Sequence, residues 1–106
     1  MKTPVTLAAL RRAISDYSRA SFYYDGVSIT ADLYLLGTAK KTGAYVLLAW
    51  CADAGLGWQR FRFAQMKDFR VLGRFESVRD DYTATDAEII ALDTFLPAVR
   101  CPQPVH

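Results

Sequence analysis

The sequence predicts an α+β domain, mostly β, in which five antiparallel strands between two helices curl into a small, partly open barrel. Two observations carry this. The hydrophobic period falls from helical to alternating near residue 20 and returns to helical near residue 85. The alternating stretch is cut into short runs by polar, glycine-containing turns. A chain of 106 residues fits one domain and can bury a core without a disulfide framework. Residues 1–97 are expected to form that domain, with 98–106 as a short frayed tail.

The first segment, TPVTLAALRRAISDYSRA, predicts a helix over about 4–18. Thr3 is its expected cap, and Pro4 suits the first helical position. Leu7, Leu10, Ile14 and Tyr17 make one apolar stripe. ASFYYDG then reads as a strand ending in a turn at Asp25-Gly26, a hairpin signal. SITADLYLL, 28–36, is the second strand, with Ile29, Ala31, Leu33 and Leu35 on one face. GTAKKTG, 37–43, is a polar loop. AYVLLAWC, 44–51, is apolar on both faces and reads as a central strand. After the turn ADAGLG comes the fourth strand, GWQRFRF, and AQMKD leads to the fifth, FRVLGRF at 69–75. A second helix is expected over 85–96. Thr85 and Glu88 match a capping box, Ile89, Leu92 and Leu96 form its stripe, and Pro97 ends it. Leu10, Ile14, Leu47, Trp50, Phe61, Phe63, Phe69 and Val71 are the expected core.

The net charge of +2 gives no strong overall pull toward nucleic acid. Its distribution is uneven. Residues 58–75 carry Arg60, Arg62, Lys67, Arg70 and Arg74 against Asp68. Residues 76–93 carry Glu76, Asp80, Asp81, Asp86, Glu88 and Asp93 against Arg79. Such blocks either attract each other or face different partners.

Catalytic constellations are lacking. The single histidine is the last residue, His106. Cys51 lies in an apolar run with no His or Asp beside it, and no Cys/His spacing suggests zinc. No glycine-rich phosphate loop implies a nucleotide cofactor. A non-enzymatic protein without metal or cofactor is expected. The longest apolar run, AYVLLAWCA, falls short of the roughly 20 residues of a membrane helix. With no secretory signal, a reduced cytosolic chain is expected.

The stretch WQRFRF, 58–63, holds the candidate chemistry. On a strand, Phe61 and Phe63 turn one way and Arg60 and Arg62 the other. The strands also carry Tyr23, Tyr24, Tyr34, Tyr45, Trp50 and Trp58. Rings beside arginines on a sheet can stack bases and bind phosphates, or can simply fill and coat a small barrel. Glu76, Asp80 and Asp81 are the acids placed to compete for the arginine pair.

LRRAISDYSRASFYYDG, TADLYLLG, YVLLAWC and RFRFAQM, with a closing RF, together resemble the bacterial WYL domain over about residues 7–75. Tyr24 matches the tyrosine ending the family's first strand. Tyr45, Val46 and Leu47 occupy its Trp-Tyr-Leu triplet, and Ala49, Trp50 and Cys51 its Ala-aromatic-Cys pattern. Phe61 and Arg62 match the Phe-Arg pair of the fourth strand. The chain departs from the family at the middle of the triplet and at a proline expected near Leu33. Gln59, Ala64 and Gln65 also replace an arginine, an aspartate and an arginine of the fourth-strand motif. The resemblance implies an Sm-like small barrel that senses a ligand, a nucleotide or short single-stranded nucleic acid. Tyr24, Tyr45, Trp50, Arg60, Arg62 and Gln65 are then the candidate contacts. The alternative is a divergent barrel used for self-association or for docking a protein partner through an exposed strand edge. Convergence of these residues favours the ligand. Scatter, with the arginines paired to acids, favours the scaffold.

Overall fold

The computed structural model describes residues 4–52, 56–86 and 89–97. One helix and six strands follow in order: α1 Leu7–Ser15, β1 Ser18–Tyr24, β2 Val27–Ala39, β3 Tyr45–Cys51, β4 Gly57–Arg62, β5 Met66–Arg74 and β6 Ile89–Phe95. The helix starts three residues later than expected. Thr6 caps it, its hydroxyl accepting from the Ala9 N–H at 3.2 Å. Pro4 instead bridges to Lys67 on β5. The anticipated Thr3 cap, Glu88, the middle of the ADAGLG turn and the tail 98–106 lie outside the described residues.

All strand pairs are antiparallel, in the order β4-β3-β2-β1-β5. The β1–β2 hairpin turns at Asp25 and Gly26, both with positive φ, as its sequence predicts. β2 is longer than its predicted span and runs through Ala39. Residues 27–32 of β2 pair with β1, and 35–39 pair with β6, while β3 lies along 32–38. β4 and β5 are joined by the 3-10 turn Phe63–Gln65 yet form no ladder with each other among the described residues, so the sheet is not closed. It does curl. The Phe61 ring on β4 meets Phe22 and Tyr24 of β1, with centroids at 5.0 and 4.9 Å.

Among the described residues the expected second helix is absent, and Ile89–Phe95 of its span form β6. The capping box is a local signal that a non-local fit overrides. Gly37 supplies that fit. A Cβ there would run into the Ile89 side chain and stand 2.5 Å from the Ala91 carbonyl oxygen. Because Gly37 has none, β6 lies directly against β2, and Ile89 and Leu96 become buried. The bidentate pair from Arg11 on α1 to Asp93, at 2.8 Å for both bonds, ties the helix to this strand.

Alternation gives the β3–β4 ribbon two faces. Leu47, Ala49, Cys51 and Phe61 point one way, all buried. With Phe22, Leu33, Leu36, Leu10 and Ile14 they belong to the core. Leu48, Trp50, Trp58, Arg60 and Arg62 point the other way. Trp50, Phe63 and Phe69, expected in the core, are only partly buried. Val71 is 51% exposed, because β5 is an edge strand covered only at its start. Tyr34 and Phe22 are the largest fully buried side chains, and neither was expected there. A register shift between Leu33 and Leu35 accompanies burial of β2 on both faces.

Candidate functional site

Four of the six sequence candidates gather where β4 enters the 3-10 turn. Tyr24 is half-buried, and its hydroxyl accepts the Arg62 backbone N–H at 3.0 Å. That bond fixes the main chain from which Arg62 projects. The Arg62 side chain is exposed and meets no carboxylate among the described residues. Gln65 is exposed three residues on. Tyr45 is half-buried and packs edge-on against Phe63, centroids 6.4 Å apart. In register, Arg62 lies opposite Val46, beside the β2–β3 hairpin whose turn carries the exposed Lys40 and Lys41. This end of the sheet thus carries three exposed cations, Arg62, Lys40 and Lys41.

The other two candidates, Trp50 and Arg60, lie further along the same face and are already engaged. Arg60 does not act as a pair with Arg62. It donates two bonds to Asp86, at 2.6 and 2.7 Å. Asp86 is not one of Glu76, Asp80 and Asp81, the acids that the sequence places to compete for the arginines. The Arg79 guanidinium sits 3.5 Å above the Trp50 ring. Arg79 also pairs with Asp81 at 3.1 Å, and the Trp58 indole N–H donates to Asp81 at 3.2 Å. These two bonds, Arg79 first, hold the Asp81 carboxyl below its usual range.

Beneath these polar contacts lies a ring cluster. Trp58 meets Trp50 at 5.3 Å, Tyr34 at 4.8 Å and Tyr82 at 5.9 Å. Tyr34 stacks on Phe75 at 5.1 Å and touches Tyr82 at 4.7 Å. The polar tips are satisfied. The Tyr34 hydroxyl accepts the Arg79 backbone N–H at 3.0 Å, and the Tyr82 hydroxyl donates to the Leu96 carbonyl at 2.8 Å. Burial raises the pKa of both phenols. The segment 75–86 is thus laid across the Trp58 face, pinned by Phe75 and Tyr82. Arg79 and Tyr82, central here, were not among the candidates. The only sequence signal for Arg79 was its place as the lone base in an acidic run.

A groove of about 780 Å³ opens beside Trp50. Its rim sets Arg19, Arg74 and Arg79 against Asp32, Glu76, Asp80 and Asp81, three cations to four carboxylates. Arg19 is itself paired with Asp32 at 2.7 Å. The groove therefore has no excess positive charge to draw in an anion. Among the described residues, no three His, Cys, Asp or Glu side chains come together to hold a metal, and no helix is long and apolar enough to cross a membrane.

No family model, curated protein or solved structure matches the chain.

Proposed function

We propose that this chain is a WYL-like, Sm-like small-barrel module that works by binding rather than catalysis. In this reading the curled sheet, with β4 folded over onto β1, is a barrel left open between β4 and β5. Its ligand is an anion, a nucleotide or a short single-stranded nucleic acid. Arg62 is the principal contact, and Tyr24, Tyr45, Gln65, Lys40 and Lys41 surround it.

One contrast carries the reading. Two arginines share a strand face, and among the described residues only Arg60 meets a carboxylate. An arginine on a braced backbone, at a sheet end that also carries Lys40 and Lys41, offers planar paired donors to a phosphate. The test is fluorescence anisotropy with a labelled oligothymidylate and with a nucleoside triphosphate at low salt. Binding should be weak and should fall as salt rises. Arg62→Ala should abolish it with the melting temperature nearly unchanged. If the wild type binds neither probe, the reading fails.

A specific observation favours a second reading, a docking scaffold. β5 pairs with β1 along one edge. Along the other, only the Pro4–Lys67 bridge is formed among the described residues. Val71 and Leu72 are about half exposed on this edge strand. A partner strand could add there. Sedimentation velocity tests self-association through it: Leu72→Lys should dissociate any dimer seen with the wild type.

A further inference from the structure

We infer that Arg79, Asp81 and Asp86 act as a built-in pseudo-ligand, occupying a second stretch of the anion-binding face until a ligand displaces them. The inference rests on the binding reading above and extends it from Arg62 along β4 to Arg60, Trp58 and Trp50.

Three contacts resemble what a nucleotide or single strand would make. A planar cation lies on the Trp50 ring at 3.5 Å, where a base would stack. A carboxylate takes both donors of Arg60 at 2.6 and 2.7 Å, as a phosphate would. A second carboxylate accepts from the Trp58 indole at 3.2 Å. All three groups come from the segment between β5 and β6, and its acidic character now has a role. It supplies negative charge to the basic strand it crosses.

The segment is built so that these groups can leave without unfolding. Its anchors are Phe75 and Tyr82, 7% and 2% exposed. Arg79 and Asp81 are surface side chains between the anchors. Asp86 follows the second anchor, with its side chain less open than that of Arg60, 9% against 49%. Rotation of the three side chains releases the Trp50 face under Arg79, the Trp58 indole N–H and the Arg60 donors that Asp86 holds, while the ring cluster stays packed. The Arg79–Asp81 pair, with both side chains exposed, is held weakly enough to be exchanged for a multivalent anion, and the Arg60–Asp86 pair keeps its arginine about half exposed to an incoming one. Arg60 would then join Arg62 on one strand face, about 7 Å away at the usual rise per residue, a spacing that suits adjacent phosphates.

The experiment titrates a labelled oligothymidylate into the wild type, Asp86→Asn, Asp81→Asn and Arg62→Ala, following anisotropy and tryptophan emission together. Asp86→Asn should bind about tenfold tighter than the wild type, and Asp81→Asn several-fold tighter, with tryptophan emission quenched in the complex. Asp81→Asn keeps the test open if Asp86→Asn does not fold, because Asp81 is exposed. If the wild type does not bind, the Arg62 reading fails, and the pseudo-ligand, which rests on it, falls with it. If the wild type binds through Arg62 and neither asparagine variant binds more tightly, the pseudo-ligand is overturned and the Arg62 reading stands. If no variant binds, both are overturned.

Discussion

The two faces of the β3–β4 ribbon both carry aromatic rings and differ in what those rings carry. On one face Phe61 meets Phe22 and Tyr24, beside Leu47, Ala49 and Cys51, and every one of those β3 and β4 side chains is buried. On the other face Trp50 and Trp58 pack with Tyr34 and Tyr82, and the polar tips of Trp58, Tyr34 and Tyr82 each have a partner. The first face can only be packed well or badly. The second is held partly by hydrogen bonds and ion pairs that water or a ligand can replace. Stability therefore concentrates on the Phe61 face, and exchangeable contacts on the Trp58 face.

The largest test of that division is Phe61→Ala. A core ring lost without collapse should cost about 3–5 kcal/mol in urea denaturation. A loss below about 1 kcal/mol would mean that the Phe61 face is not the dry one.

Gly37 comes next, because it decides whether β6 can cover β2 at all. Gly37→Ala forces a methyl group against Ile89 and the Ala91 carbonyl. Overpacking of this kind should cost about 1–3 kcal/mol. Hydrogen exchange should speed up selectively in β6, while the β3–β4 ladder keeps its protection.

Gly37 also shows why the C-terminal part was misread. Thr85-Asp86-Ala87-Glu88 is a sound local helix start, and the spacing of Ile89, Leu92 and Leu96 suits a helical stripe. What overrides it is a slot some fifty residues away in sequence, visible only once β2 is seen to run to Ala39. Elements fixed by near neighbours were legible. They include the first helix, the Asp25-Gly26 hairpin and the strands through β5, apart from end positions. The placement of the candidate side chains was legible to the same extent. The sequence placed Arg60 and Arg62 on one face and Phe61 on the other, and the ladder with β3 agrees. That Asp86 neutralises Arg60, and that Arg79 covers Trp50, depends on where a 14-residue connection between two strands is laid, counting from Phe75 through Glu88. No period in the sequence encodes that path.

The Trp58 face should also betray itself in alkali. Burial raises the pKa of the Tyr34 and Tyr82 phenols, so the folded state holds their neutral forms. In the unfolded chain they ionise near their ordinary value of about 10. Their contribution is therefore complete below that pH and is lost as pH climbs above it. Melting temperature should fall between about pH 10 and 12. Tyr82→Phe should flatten this decline, at a cost of about 1 kcal/mol at neutral pH for the bond to the Leu96 carbonyl. An equally steep alkaline decline in Tyr82→Phe would assign the effect elsewhere.

The smallest expected effect separates the two arginines. Arg60→Ala breaks a two-bond pair whose acid, Asp86, has a side chain only 9% exposed. The arginine itself is about half exposed, so the surface range of 0–1 kcal/mol applies, toward its upper end because a sheltered carboxylate is left without its cation. Arg62→Ala removes a side chain that meets no acid among the described residues, while the Tyr24 bond to the residue 62 backbone N–H is untouched. Its cost should lie within about 0.5 kcal/mol of zero. Differential scanning calorimetry of the two variants in low and high salt makes the comparison. The Arg60→Ala deficit should shrink as salt screens the pair in the wild type. If Arg62→Ala proves the more destabilising, Arg62 has a structural partner, and the sheet end around it is closed rather than open.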